Sequence, residues 1–182
     1  MDNSILLVDD EPNITAALKR VLVENGFDAL TAASGAEALN ILRKNKVKII
    51  ISDERMPGMS GADLLGIIKE QYPYLVRIML TGHASIEAAM RAVNDGEIYR
   101  FFSKPWDNNE LLLSVKNAIE KYDLEEKNRK LLETIRGYES SLELLEKKYP
   151  GITKVDKDED GGFVLSLSSD EYESLLEKYK AR

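Results

Sequence analysis

Residues 5–10, Ile-Leu-Leu-Val-Asp-Asp, and residues 49–53, Ile-Ile-Ile-Ser-Asp, decide the fold of this 182-residue chain. Each stretch is a short apolar run that stops at acidic residues. Such runs are typical of parallel strands buried on both faces, whose carboxyl ends meet at one edge of a sheet. We therefore expect Asp9, Asp10 and Asp53 to lie together at that edge.

Two further apolar runs end in polar residues of another kind. Residues 77–80 stop at Thr81, and residues 100–102 are followed closely by Lys104. If these strands belong to the same sheet, a hydroxyl and an ammonium group join the three carboxylates at its edge. Carboxylates are ligands that Mg²⁺ prefers, and the two donors suit phosphoryl oxygens. The pattern therefore predicts a magnesium and phosphoryl site.

Strand and helix signals alternate along the first part of the chain, which predicts an α/β doubly wound sheet of five β/α units. A proline at position 12 and a capping box at residues 34–37 mark two helix starts. The expected strands are 5–8, 27–32, 48–52, 77–81 and 100–102, and the expected helices are about 12–24, 34–45, 61–71, 85–95 and from about 108.

The strings LLVDDEP, ISDERMPGMSG, IMLTGHA and FFSKPW, in this order and at these separations, make residues 1–122 resemble the receiver domain of two-component response regulators. The resemblance implies a five-stranded parallel, flavodoxin-like sheet with strand order 2-1-3-4-5. It also implies that a sensor histidine kinase transfers a phosphoryl group to this domain.

The resemblance assigns the acidic residues and one backbone group to the reaction centre. Asp53 is the implied phosphoacceptor, because its carboxylate can attack a phosphoryl group and form an acyl phosphate. Asp9, Asp10 and Asp53, with the backbone carbonyl of Arg55, are the implied ligands of Mg²⁺.

Further residues are assigned to catalysis and to signalling in the same way. Thr81 and Lys104 are expected to contact phosphoryl oxygens, and the bond from Lys104 to the following proline is expected to be cis. Thr81 and Phe101 form the implied switch. Arg55 and His83 occupy the two positions that control the access of water to the phosphate.

Charge and composition lead to expectations about location and partners. Residues 1–122 hold 14 Lys and Arg against 17 Asp and Glu, and residues 123–182 hold 11 against 15, within a net charge of −7. A DNA-binding part normally carries a basic face, so no nucleic-acid partner is expected. There is no cysteine, no leader and no apolar stretch near the ~20 residues that cross a bilayer. We expect a cytoplasmic protein without a membrane partner.

Beyond the receiver, apolar residues recur at alternating steps of four and three. This heptad spacing predicts a coiled-coil helix over residues 123–149 and a homodimer, with an antiparallel return against the receiver as the alternative. The seam consists of Leu124, Asn128, Leu131, Ile135, Tyr138, Leu142, Leu145 and Tyr149.

The sequence pattern of residues 150–182 predicts a small unit made of a β-hairpin and a helix. Strands at 152–155 and 163–167 are joined by an acidic turn at 156–162, and a capping box at 168–171 opens a last helix. So short a unit buries little apolar surface alone, and we expect it to pack against another copy or another protein.

These sequence patterns are compatible with two functions. The first is a stand-alone response regulator whose tail binds an unknown protein effector when the receiver is phosphorylated. The alternative is a phosphate sink or relay intermediate whose tail only dimerises. No glycine-rich nucleotide loop is present, so we expect no enzyme activity beyond phosphorylation and dephosphorylation of the receiver itself. Met1 and the charged residues 178–182 argue against a fragment of a larger hybrid protein.

Overall fold

The computed structural model describes residues 4–82, 98–150, 156–157 and 163–164. His83 and the helix predicted at about 85–95 lie outside these residues. The strand predicted at 152–155 and the helix predicted to begin at 168–171 also lie outside them.

Five parallel strands form the central sheet in the order β2-β1-β3-β4-β5, which confirms the implied strand order. Every residue of β1 and β3 is buried, because helices cover both faces of the sheet. The strands are β1 Ser4–Val8, β2 Asp28–Ala32, β3 Ile49–Asp53, β4 Val76–Thr81 and β5 Arg100–Ser103.

Alternate residues of β1 belong to two separate hydrophobic clusters, one on each face of the sheet. Ile5 and Leu7 belong to a cluster with the first helix and the start of the last one, whereas Leu6 and Val8 belong to a cluster with the two helices on the opposite face. The helices are α1 Pro12–Glu24, α2 Gly35–Leu42, α3 Gly61–Gln71 and α4 Asn108–Lys148.

Side chains cap the starts of α2 and α3, and the sequence analysis indicated the first of these caps. The Ser34 side chain accepts a hydrogen bond from the Glu37 backbone N–H, as its capping-box pattern predicts. Ser60 and Asp63 form a complete capping box at the start of α3, which holds the loop after β3 in one path.

Helix α4 is continuous over 41 residues and ends just before Pro150. The chain divides into two compact units, Met1–Arg129 and Lys130–Arg182. Within the first unit α4 keeps contacting the receiver beyond residue 122. Lys48 pairs with Asp123 at 2.7 Å and Lys46 pairs with Glu126 at 2.7 Å.

In the second unit, β6 Asp156–Lys157 pairs antiparallel with β7 Phe163–Val164. The two residues of β6 were predicted to lie in the acidic turn, and that part of the prediction is wrong. A hairpin pairs the residues nearest its connection, so Asp156 and Lys157 enter the ladder despite their low strand propensity.

None of the helices in the described ranges is both long enough and apolar enough to cross a membrane.

Candidate functional site

Three carboxylates meet at the carboxyl edge of the sheet. Each of Asp9, Asp10 and Asp53 offers an oxygen within 4.8 Å of the other two. Asp9 and Asp53 are buried, and Asp10 is exposed. They meet because β1 and β3 are adjacent and parallel, with Val8 beside Ser52, so both strands end at the same level.

Backbone N–H groups orient the two buried carboxylates. The Glu11 N–H donates to Asp9 Oδ1 at 2.9 Å, and the Arg55 N–H donates to Asp53 Oδ2 at 2.9 Å. In both cases a side chain accepts from the residue two positions later, which is the local bonding pattern that Asp favours. One oxygen of each carboxylate is therefore held by its own loop.

Lys104 binds the other oxygen of both carboxylates. Its Nζ lies 2.9 Å from Asp9 Oδ2 and 2.5 Å from Asp53 Oδ1. Burial lowers the pKa of Lys104, but hydrogen bonds and charge attraction from Asp53 and Asp9 outweigh burial and raise the pKa above its usual value of 10.5. The ammonium is therefore charged at neutral pH. The bond from Lys104 to Pro105 is cis, as predicted.

Lys104 leaves the acidic cluster with an excess of negative charge. A divalent cation would neutralise this charge, and carboxylate oxygens are the hard ligands that Mg²⁺ takes. Oxygens from Asp9, Asp10 and Asp53 lie close enough to share one ion. The donor set therefore fits Mg²⁺.

Thr81 is fully buried, and its hydroxyl is hydrogen-bonded to a residue that the sequence analysis did not single out. Thr81 Oγ1 donates to Glu54 Oε2 at 2.8 Å and approaches the Gly82 carbonyl at 3.1 Å. Glu54 follows directly after β3, and its backbone N–H donates to the Leu80 carbonyl on β4. The adjacency of β3 and β4 is the signal that could have identified it.

Gly61 is a second residue that the sequence analysis did not assign. A Cβ at this position would lie 2.1 Å from the Asp53 carbonyl oxygen. The Gly61 N–H donates to the Glu54 carbonyl at 2.8 Å, so the start of α3 packs directly on the backbone of the acidic site. A residue without a side chain is required by this close approach.

The remaining assigned residues lie around this centre. Phe101 is half-buried on β5 and packs against the core cluster that contains Met79. The Arg55 side chain is exposed, and its backbone N–H is the group that contacts Asp53. His83 lies outside the described residues.

Comparison with known proteins gives one family match and several relatives. The family model described as response regulator receiver domain matches residues 5–116. The hydrogenase transcriptional regulatory protein HoxA of Cupriavidus necator is 37% identical over 122 residues, covering 67% of this chain and 25% of HoxA. The DNA-binding transcriptional regulator NtrC of Escherichia coli K12 is 35% identical over 125 residues, covering 69% of this chain and 26% of NtrC.

Among solved structures, NtrX from Brucella abortus in complex with ADP matches with a TM-score of 0.66 and 32% identity. The match covers 72% of this chain and 30% of NtrX. This chain thus spans about a quarter of the length of the two curated relatives named above.

The prediction that this protein is not an enzyme is wrong. This prediction rested on the lack of a glycine-rich nucleotide loop in these 182 residues. The matched part, however, is only about a quarter of HoxA and of NtrC, and the matching NtrX structure is a complex with ADP. A motif that is absent from a quarter of such a protein excludes nothing about the rest.

The exclusion of a nucleic-acid partner conflicts with the comparisons as well. NtrC is a DNA-binding regulator, and HoxA is a transcriptional regulator. The acidic charge of this chain describes only the residues that are present. A receiver need not itself carry a basic face, because phosphate contacts are made by whichever part of a protein meets DNA.

Proposed function

Since this chain belongs to the family of response regulator receiver domains, we propose that Asp53 accepts a phosphoryl group from a sensor histidine kinase and that the acyl phosphate switches protein interactions. Receiver domains of this family are phosphorylated by histidine kinases and act in phosphorylation-dependent signalling. The observation that carries the proposal is the convergence of Asp53 with two further carboxylates and Lys104 at one edge of the sheet.

The proposed transfer needs little more than positioning and charge. A carboxylate oxygen of Asp53 attacks the phosphorus, the bond from phosphorus to the kinase imidazole nitrogen breaks, and that nitrogen keeps the electron pair. Lys104 already contacts Asp53 Oδ1, so its ammonium can move to an oxygen of the arriving phosphoryl group without leaving the site. Asp53 is only 6% exposed, which keeps bulk water from its carboxylate.

Receiver domains bind Mg²⁺ in an acidic pocket, which in this chain corresponds to the acidic cluster. Asp9, Asp10 and Asp53, with the backbone carbonyl of Arg55, would hold the ion. When bound, it neutralises the carboxylates and the phosphoryl oxygens that must approach one another.

The switch would start at Thr81. Its hydroxyl donates to Glu54, and a phosphoryl oxygen on Asp53 would compete for the same proton. Withdrawal of this hydroxyl towards the phosphate would open space on β4 for Phe101, which is half-buried on the adjacent strand. Two discrete arrangements of these residues would carry the signal.

The lifetime of the acyl phosphate would depend on Arg55 and His83, the two residues that the resemblance to receiver domains assigns to the access of water. The side chain of Arg55 is exposed, and its backbone N–H donates a hydrogen bond to Asp53 Oδ2. This short distance from the phosphoacceptor supports the proposed role of the guanidinium.

The tail is proposed to form a homodimer through the seam from Leu124 to Tyr149, and to present an interaction surface to a protein effector. The apolar seam residues are 43% to 67% exposed, although they recur at heptad spacing on a continuous helix. A second copy of this helix would bury them. In the alternative, a phosphate sink or relay, the tail would dimerise without an effector.

The phosphoacceptor is tested by incubating the full chain with labelled acetyl phosphate and Mg²⁺. The expected result is one phosphoryl group per chain, and less than about a tenth of that label in Asp53→Asn, because an amide does not attack phosphorus. Asp28→Asn removes an exposed carboxylate elsewhere and should retain full labelling. Equal labelling of Asp53→Asn and Asp28→Asn would refute the assignment.

A further inference from the structure

A cavity lies in the first unit, at the edge of the sheet opposite to Asp53. It opens beside the residues that lead into β3 and β4 and has a volume of about 370 Å³. This size falls in the range of pockets for small ligands, which begins at roughly 300 Å³. Its apolar and aromatic walls are Leu42, Val47, Tyr72, Tyr74, Leu75 and Tyr122.

One nitrogen of a cationic side chain in this cavity lacks a hydrogen-bond acceptor among the described residues. Arg129 Nη1 is buried and makes no hydrogen bond to any residue in the described ranges. The guanidinium carbon lies 3.6 Å from the centroid of the Tyr74 ring, so stacking offsets part of the loss of water around this charge. The N–H groups of a guanidinium lie in its plane, so stacking on the Tyr74 ring does not give Nη1 a hydrogen-bond acceptor.

Two acids that precede Arg129 on α4 are already engaged. Glu126, one turn earlier, pairs with Lys46 at 2.7 Å, and Glu125 pairs with Lys121. Buried polar groups in folded proteins are almost always hydrogen-bonded, and a buried donor without an acceptor costs about 1–3 kcal/mol. Among the residues that the structure describes, Arg129 Nη1 is such an exception, and an acceptor on a bound ligand would stabilise it.

We propose that this cavity binds a small organic anion with a flat apolar body, whose carboxylate or phosphate group accepts hydrogen bonds from Arg129. The planar guanidinium group can donate two parallel hydrogen bonds to two oxygens of either a carboxylate or a phosphate group. The rings of Tyr72, Tyr74 and Tyr122 line the space for the apolar body. Lys46 also lines the cavity, but its ammonium is paired with Glu126, which leaves Arg129 as the group for the anion.

The position of Arg129 gives such a ligand a route to the tail. Arg129 is the last residue of the first unit and lies on α4, the helix that carries the proposed dimer seam. An anion held by Arg129 and the tyrosines would fasten this turn of α4 to the receiver. Ligand binding would therefore raise the thermal stability of the first unit by mass action.

The test uses calorimetric titration of the full chain with three probes that share one ring system, namely 1-naphthoate, 1-naphthyl phosphate and the neutral 1-naphthalenemethanol. Mg²⁺ is left out, so that the acidic site does not retain the phosphate. One of the two anions should bind at one site per chain, and the alcohol should bind at least about tenfold more weakly, which corresponds to roughly 1.4 kcal/mol. The stronger anion identifies the oxyanion class.

Variants decide whether Arg129 makes the contact. Arg129→Gln should weaken binding of the preferred anion at least tenfold. The affinity of Arg129→Lys should lie between those of Arg129→Gln and the unmodified chain, because lysine keeps the charge but cannot donate two parallel hydrogen bonds. Arg136→Gln removes an exposed arginine from the same helix and should bind as the unmodified chain does. The proposal is overturned if neither anion binds at millimolar concentration, if the alcohol binds equally, or if Arg129→Gln retains full affinity.

Discussion

Lys104 controls the charge balance of the acidic site. Its ammonium contacts both buried carboxylates, and those contacts raise its pKa above 10.5. Because the folded-state pKa is raised, this attraction contributes to stability fully below pH 10.5 and is lost only as the pH rises through the folded-state pKa. Changes in pH around neutrality therefore leave the interaction intact, and a phosphoryl group is the event that would displace it.

Glu54 is expected to hold the Thr81 hydroxyl in the unphosphorylated arrangement. Glu54→Gln keeps an oxygen acceptor but removes its charge, which weakens the hydrogen bond by about half. We expect the affinity of the full chain for beryllofluoride, a phosphoryl mimic, to rise by on the order of tenfold in the presence of Mg²⁺. Titration followed by the fluorescence of Trp106, which follows the Lys104–Pro105 bond, measures this change.

A charge effect and a switch effect are separated by a double-mutant cycle. Loss of one negative charge near an anion site raises affinity by itself, so the same change is made in a Thr81→Ala background, where no hydroxyl remains to be released. Glu70→Gln, which removes an exposed acid on α3, serves as a matched control. If Glu54→Gln raises affinity equally with and without the Thr81 hydroxyl, Glu54 acts only through its charge.

At the scale of single elements, the start of α3 supports the acidic site. The Ser60–Asp63 capping box fixes where the helix begins, and Gly61 then packs against the backbone of Asp53. The contact is between two backbone segments, which cannot move apart as a flexible side chain could. The geometry of the Asp53 carboxylate therefore depends on α3 as well as on β3.

Two glycines of α3 are predicted to respond in opposite directions to the same substitution. Gly61→Ala places a Cβ 2.1 Å from the Asp53 carbonyl oxygen and should destabilise the fold by about 1–3 kcal/mol and reduce labelling by acetyl phosphate. Gly66→Ala lies on the same helix with nothing within 4 Å, so it should stabilise by up to ~1 kcal/mol and label normally. Urea unfolding measures both. Equal stability of the two variants would show that the α3 contact is looser than this packing requires.

At the scale of the whole molecule, α4 carries two different surfaces. Its first part contributes Leu111, Val115, Ile119 and Tyr122 to the receiver core, and charged contacts continue to Arg129. Its later part exposes apolar side chains at heptad spacing. One helix thus begins as part of a buried core and continues with an exposed apolar stripe.

The dimer is tested by placing charges in this stripe. Leu142→Asp with Leu145→Asp should convert a dimer into monomers in sedimentation at tens of micromolar, on the order of ordinary assay concentrations, because two buried aspartates per helix are costly. Leu132→Asp with Leu144→Asp changes two leucines that are also exposed but lie off the seam, and it should stay dimeric. A monomeric unmodified chain would contradict the dimer, and equal effects of the two pairs would contradict the heptad register.

Much of the site could be predicted from the sequence because parallel strands end at one edge. Apolar runs that stop at Asp9, Asp53 and Thr81 each indicate a strand end, and strand ends of one sheet must lie near each other. The spacing of those runs also predicts the alternation of strands and helices, and the resemblance supplies their order. The heptad spacing likewise predicts a helix over residues 123–149, and the structure shows this helix as the continuation of the last receiver helix.

Only the tertiary structure decides which side chains touch. Thr81 and Glu54 are 27 residues apart, and their hydrogen bond depends on the side-chain directions at the ends of two strands. The contact of Gly61 with Asp53 and the stacking of Arg129 on Tyr74 depend on how closely a helix approaches the end of a strand or a turn, which no sequence period encodes. The sequence determined where elements begin and end because periodicity is local, whereas these contacts required packing because they join residues that only the fold brings together.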